Sequence, residues 1–239
     1  MPKAFSEWTV LEHGALEQLA DNLWWAWGAV PGMSLRRTMV IARLRDGRLV
    51  IHNGIALDEP GMRALEALGT PAFLVVPNRG HRLDARAYKD RYPALRVIAP
   101  SGSRAGIEEV VPVDATYGDA PIDDDTVRFE RLEGLADAEG AMLVRSPDGV
   151  TVVLNDVVMN MDRKRDVLGF LFTTILGSAP GPRVSRLSKL VYVKDRKALR
   201  ASLERLAATP DLARLAVAHE KVSHGPDAAA ALRRAATYL

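Results

Sequence analysis

The sequence predicts a mixed α/β fold (α+β), a four-layer αββα sandwich in which two sheets pack face to face and helices cover their outer faces. Three observations lead to this class. Buried strands alternate with helices in the middle of the chain, antiparallel strands follow, and the last third is mainly helical. Periodicity alone does not select this sandwich over other mixed folds.

The first half of the chain alternates strands and helices. Residues 38–44 and 49–52 are rich in β-forming side chains and flank an Asp-Gly turn, which is typical of a β-hairpin. Continuous apolar runs between amphipathic segments predict strands buried on both faces. The predicted elements are an N-terminal helix that includes His13, a helix over 60–68, a strand over 72–76, a helix over 84–92 and a strand over 95–99.

The second half predicts antiparallel strands followed by helices. A Pro-Asp-Gly turn at 147–149 joins two of the strands, and Pro226 opens the last helix, where its missing N–H has no partner to lose. The predicted strands cover 127–132, 141–145, 150–154 and 212–218, and the predicted helices cover 167–176, 196–208 and 226–239.

Composition limits the classes of function. The 239 residues, 48% of them hydrophobic, form no linker or repeat, so one domain over 1–239 is predicted. The chain has no cysteine, which excludes disulfides and cysteine-ligated metals, and its N-terminus is acidic where a secretory signal is apolar. We therefore expect a cytoplasmic protein without membrane segments. With a net charge of +2, no nucleic-acid partner is expected.

Two apolar features have alternative interpretations. In a strand, alternation places Trp25 and Trp27 on a buried side and Trp24 on the other, where it lines a groove or an interface. The helix over 167–176 carries Phe170 and Phe172, which cover an apolar ligand or pack against a second copy. A homo-oligomer is therefore compatible with the sequence.

Four segments resemble the metallo-β-lactamase superfamily. They are RRTMVIARLRDGRLVIHNGIAL from Arg36, FLVVPNRGHRLDARAYKDRYP from Phe73, VTVVLND ending at Asp156, and AVAHEKV around His219. More narrowly, the chain is similar to a DUF4336-like branch with a degenerate His-x-His-x-Asp-His motif. The resemblance runs from about Asn22 to the C-terminus and implies a metallo-β-lactamase-like sandwich.

The resemblance implies a metal site that has lost several ligands. His81 matches the second His of the motif, whereas Arg79 stands at the first His, Leu83 at the Asp and Asp84 at the last His. Residues 132–143 contain no His for the next ligand position. Arg and Leu do not ligate zinc, and Arg79 adds positive charge beside a cation.

Two later ligand positions are retained. Asp156 matches the family's bridging Asp, with Asn155 replacing a Gly, and His219 matches the last His, with Glu220 in the usual Gly position. The chain has five His in all, too few for a two-ion site. A single zinc ion on His81, Asp156 and His219 is chemically reasonable, although no cofactor is the first expectation. Each of the three also has a plain structural interpretation as a turn, cap or buried strand-end residue.

Three functions are compatible with these residues. The first is a groove that binds a small molecule or partner without hydrolysing it, and the alternative is a mononuclear metal-dependent hydrolase with Asp84 as a fourth ligand or base. The third is an interaction protein that uses the basic run over 183–200 and the helix over 167–176. The predicted groove residues are Asn78, His81, Asp84, Asn155, Asp156 and His219.

Overall fold

Two β-sheets form the centre of the protein in a computed structural model that describes residues 4–239. The first sheet has seven strands in chain order: β1 (Glu17–Ala20), β2 (Leu23–Val30), β3 (Met33–Arg43), β4 (Arg48–His52), β5 (Thr70–Val75), β6 (Arg96–Ala99) and β7 (Ala115–Thr116). The second has five, in the order β12-β11-β10-β9-β8: β8 (Val127–Arg131), β9 (Gly140–Ser146), β10 (Gly149–Val153), β11 (Leu212–Ala216) and β12 (Ser223–His224).

The helices lie mainly on the outer faces of the two sheets. They are α1 (Glu59–Leu68), α2 (Ala85–Arg91), α3 (Arg104–Glu108), α4 (Val167–Phe170), α5 (Arg186–Val191), α6 (Arg196–Ala207) and α7 (Pro226–Ala236). Helices α1, α2 and α3 pack on the first sheet through residues such as Leu65 and Tyr88. Helices α6 and α7 pack on the second through residues such as Leu203 and Leu232.

A third apolar core fills the space between the sheets. Phe73 of β5 and Met142 of β9 belong to it, so side chains from both sheets meet there. Together with the two helix layers this gives the four-layer αββα sandwich, and the predicted fold class is confirmed.

Local chemistry explains where the predicted elements begin and end. The hairpin of β3 and β4 pairs Ile41 with Ile51 across an antiparallel ladder, as the alternation predicts. Helix α1 begins where the Asp58 side chain accepts the N–H of Gly61, and Pro60 stands in its first turn.

The parallel strands bring distant parts of the chain to one edge. Strands β4, β5 and β6 run parallel in the first sheet, and β10 and β11 run parallel in the second. Parallel neighbours end at the same edge of a sheet, so the segments that follow them converge there.

Two predictions about the N-terminal region are wrong. The segment around His13 is not helical: His13 bridges to Gly28, and β1 pairs antiparallel with β2. Pairing with β2 therefore decides the structure of this segment. Trp24 is the buried tryptophan, because its face of β2 is covered by the helix layer, while Trp25 and Trp27 are half-buried.

The predicted helix over 167–176 is present, but its α-helical hydrogen-bond pattern changes part-way along. It begins as α4 and continues over Leu171–Ile175 as a wider π-helical turn. None of the helices within residues 4–239 has the length and apolar character needed to cross a membrane.

Candidate metal centre

Three of the predicted groove residues meet at the edge where the parallel strands end. Nε2 of His81 lies 3.0 Å from Oδ1 of Asp156, and Nε2 of His219 lies 3.4 Å from the same oxygen. One ligand atom from each side chain lies within 4.8 Å of the other two. His81 follows β5, Asp156 follows β10 and His219 follows β11, so both sheets contribute to the cluster.

The opposite ring nitrogen of each histidine is held by an oxygen that only accepts hydrogen bonds. Asn53 donates from Nδ2 to the carbonyl of Thr38 at 2.7 Å, which turns its Oδ1 toward Nδ1 of His81 at 3.2 Å. Nδ1 of His219 lies 2.8 Å from the carbonyl oxygen of Arg36. Both Nδ1 atoms therefore carry the proton and donate it.

This tautomer has a direct consequence for the two Nε2 atoms. In a neutral ring protonated at Nδ1, Nε2 presents a lone pair, and both lone pairs face the same carboxylate oxygen of Asp156. Such an arrangement is repulsive unless a proton or a cation lies between the donors. Carbonyl oxygens that accept a hydrogen bond from Nδ1 are the usual support of metal-binding histidines.

Asp156 is ionised in this environment. Burial raises its pKa, but the positive charge of His81 and His219 in their protonated form, with the hydrogen bonds that they then donate, holds the pKa of this carboxyl well below its usual range. The cluster therefore supplies one anionic oxygen and two imidazole nitrogens.

Glu139 holds the turn that carries Asp156. Its Oε1 accepts the backbone N–H groups of Asn155 at 2.9 Å and Val157 at 3.2 Å, and its Oε2 accepts that of Asp156 at 3.0 Å. Burial, with the nearby charge of Asp156, raises the pKa of Glu139. Glu139 is not among the residues that the sequence predicts for the site, although it lies in the stretch 132–143 where the family motif has a histidine.

Asn78 links the two halves of the cluster. Its Nδ2 donates to Oδ2 of Asp156 at 2.9 Å and to Oε2 of Glu139 at 3.3 Å. Its Oδ1 accepts the backbone N–H groups of Gly80 and His81, at 2.7 and 3.1 Å. The side-chain amide of Asn78 thus fixes the turn before His81 and also holds Oδ2 of Asp156, the carboxylate oxygen that does not face the histidines.

Asp84 is not part of the cluster. It is fully buried and forms an ion pair with Arg37, so its carboxylate is already engaged. Burial raises the pKa of Asp84, and Arg37 opposes that shift. The role of fourth ligand or base does not fit this position, because Arg37 would have to be displaced first.

The remaining positions of the degenerate motif also lie apart from the ligand atoms. Arg79 is exposed, and its side chain packs against Gly106 where a Cβ would otherwise lie, whereas Leu83 lines the pocket with its apolar side chain. The backbone of Asn155 is bound to Glu139, and its buried side-chain amide has no partner within residues 4–239.

A pocket of about 270 Å³ opens directly onto the three side chains. Its wall is mostly apolar, and Phe172 lies edge-on to His219 with ring centres 6.1 Å apart. Burial raises the pKa of Tyr192 far above neutrality, so this lining phenol is uncharged. The apolar lining residues are Val30, Met33, Leu35, Leu83, Met159, Phe172, Leu187 and Val191.

Comparison with known proteins places this arrangement in a known fold. The chain matches no protein-family model and no curated protein. A crystal structure of DIM-1 metallo-β-lactamase exposed to ceftazidime matches 96% of the chain and 98% of its own length, with a TM-score of 0.63 and 12% identity. The chain has the metallo-β-lactamase fold. A second DIM-1 structure matches 95% of the chain with a TM-score of 0.63 and 10% identity, and covers 99% of its own length.

A third metallo-β-lactamase, from Pontibacter korlensis, matches 94% of the chain and 99% of its own length, with a TM-score of 0.58 and 10% identity. The TM-scores establish the metallo-β-lactamase fold, whereas identities this low leave activity to be argued from the site. The placement in a DUF4336-like branch stays a prediction.

Proposed function

We propose that the protein binds one divalent cation, with zinc the best match, through His81, Asp156 and His219, and binds a small, largely apolar molecule beside it. The observation that carries this proposal is that Nε2 of His81 and Nε2 of His219 face one carboxylate oxygen of Asp156, while each Nδ1 lies against an oxygen that only accepts hydrogen bonds. A cation between the three ligand atoms would satisfy both Nε2 atoms and the carboxylate oxygen together.

The spacing of the donors supports one ion. Three ligand atoms at about 2.1 Å from a tetrahedral zinc ion lie about 3.4 Å from one another. In the structure, Oδ1 of Asp156 lies 3.0 Å from Nε2 of His81 and 3.4 Å from Nε2 of His219. Two imidazole nitrogens and a carboxylate oxygen are also a donor set that suits zinc.

The pocket determines the kind of ligand. Its volume of about 270 Å³ and its largely apolar wall favour a small molecule with one polar end. A bound ion would supply a Lewis acid for that polar end. The neutral phenol of Tyr192 and the apolar side chains would contact the remainder of the ligand and exclude water from it.

A second candidate function is hydrolysis of the bound molecule. Three protein ligands leave at least one coordination position open toward the pocket, as catalytic zinc sites do. Binding without hydrolysis ranks first, because Asp156 is the sole carboxylate among the described lining residues and Asp84 is engaged by Arg37. No free carboxylate base therefore faces the ligand.

The test measures zinc affinity by competition with a chelating dye, in the wild type and in single variants. We expect binding of one equivalent, with losses of at least about a hundredfold in His81→Ala and His219→Ala. His224→Ala, at an exposed histidine elsewhere, is the matched control and should bind like the wild type. Equal affinities in all four proteins would overturn the proposal.

The two candidates differ in turnover. The zinc-loaded protein is incubated with panels of small esters, lactones and β-lactams while product is measured. Turnover that disappears in His81→Ala would establish the hydrolase, and saturable binding without turnover would establish the binding protein.

A further inference from the structure

The segment 167–175 presents large apolar side chains to water. Val167 is 84% exposed, and Leu168, Phe170, Leu171 and Ile175 are between 45% and 51% exposed. We call these five residues the apolar ridge. Few large apolar side chains elsewhere in the described chain are comparably exposed, which marks the ridge as a site of interaction.

The polarity of this segment is the reverse of that of a surface helix. Its polar Thr173 is buried and donates from Oγ1 to the carbonyl of Gly169 at 2.7 Å, while the apolar ridge faces outward. Surface helices of globular proteins bury their apolar stripe and expose polar residues. The outer face is therefore built for an apolar environment.

Unpaired arginines stand at both ends of the ridge. Arg163 and Arg165 are exposed and come just before Val167, and Nη1 of Arg186 lies 3.4 Å from the carbonyl of Ile175. Within residues 4–239 none of the three forms an ion pair, whereas the neighbouring Lys164 is paired with Glu220. The ridge is thus flanked by three unpaired cations, against one carboxylate, that of Asp166, which caps α4.

We infer that the apolar ridge inserts into an anionic lipid surface, with the three arginines at the level of the headgroups. Apolar side chains that reach the acyl boundary, together with cations beside anionic headgroups, are the combination that anchors interfacial helices. A second copy fits this face less well, since a two-fold contact would bring two sets of unpaired arginines together.

The inferred attachment also relates the surface to the pocket. Phe172, on the inner side of the same segment, lines the pocket at His219. A protein attached through the ridge would hold its pocket beside the lipid phase, where apolar molecules concentrate. This connection rests on the proposed function, whereas the attachment itself does not.

The experiment is sedimentation with vesicles of phosphatidylcholine, alone or mixed with phosphatidylserine. We expect binding to the mixed vesicles that weakens with salt. The pair Phe170→Ser/Leu171→Ser should bind at least about tenfold more weakly. Replacing Arg163, Arg165 and Arg186 by Gln should cost about fivefold per arginine.

Matched controls distinguish binding through the ridge from nonspecific binding to vesicles and from effects of the metal site. Val10→Ser and Arg145→Gln change exposed residues outside the ridge and should bind like the wild type. His81→Ala should also keep vesicle binding, so failure of the metal proposal would leave this one intact. Circular dichroism and thermal unfolding show that each variant is folded.

Two results would overturn the inference. One is equal sedimentation of the wild type, the Phe170→Ser/Leu171→Ser variant and the three-arginine variant with the mixed vesicles. The other is a dimer in analytical ultracentrifugation that Phe170→Ser/Leu171→Ser dissociates, without vesicle binding by the wild type, which would assign the ridge to a second copy.

Discussion

Replacing Glu139 by Gln tests how the turn after β10 presents Asp156. The carboxylate uses both oxygens as acceptors, one for the backbone N–H groups of Asn155 and Val157 and the other for that of Asp156 and for Asn78. Glutamine keeps one acceptor oxygen, and its amide N–H groups would face donors on the other side.

The magnitude follows from the groups left without acceptors. At least one buried backbone N–H loses its partner and one donor faces another donor, and each such loss costs about 1–3 kcal/mol. We therefore expect Glu139→Gln to lower the free energy of unfolding by about 2–6 kcal/mol. Because the turn positions a ligand, zinc affinity should fall about 10–100-fold.

Urea unfolding of the metal-free protein and zinc titration of the folded protein measure the two effects separately. Glu133→Gln is the matched control, since this exposed glutamate lies in the same stretch and should change neither quantity. Wild-type stability together with wild-type zinc affinity in Glu139→Gln would refute the role assigned to this carboxylate.

Three further predictions concern the surroundings of the site. Asn53→Gly keeps the positive φ of 55° accessible but removes the acceptor of His81, so zinc affinity measured by dye competition should fall about 10–100-fold. The lost hydrogen bond to the Thr38 carbonyl should also lower the free energy of unfolding by about 1–3 kcal/mol. Burial, with the charge of His81, lowers the pKa of His52 to about 3. Protons therefore favour the unfolded chain, and stability should fall by about 2 kcal/mol between pH 8 and about pH 5, a slope that His52→Gln removes in urea unfolding. Arg37→Met leaves the buried Asp84 carboxylate without its partner and should lower the free energy of unfolding by about 3–5 kcal/mol. The double variant Arg37→Met/Asp84→Asn should recover most of this loss in the same assay.

The sequence predicts the sandwich well because its core elements carry strong local signals. The Asp-Gly turn of the first hairpin, Pro60 at the start of α1 and the apolar run of β5 act within a few residues of chain. The N-terminal segment lacked such a signal, and its pairing with β2 was set by contacts outside the segment.

The site is predictable only where a residue keeps a motif position. His81, Asp156 and His219 follow strands in an order that the resemblance supplies. Glu139 and Asn53 act through hydrogen bonds to residues 17 and 28 positions away, which no local pattern encodes. Asp84 looked like a ligand because Arg37, its partner, lies 47 positions away in the chain.

The most direct test of the central claim is an anomalous difference map at the zinc edge from crystals of the zinc-loaded protein. The account predicts one peak, bonded at about 2.0–2.2 Å to Nε2 of His81, Nε2 of His219 and Oδ1 of Asp156. Two peaks at this position, or one peak bonded to other residues while the three side chains stay in contact with each other, would contradict it.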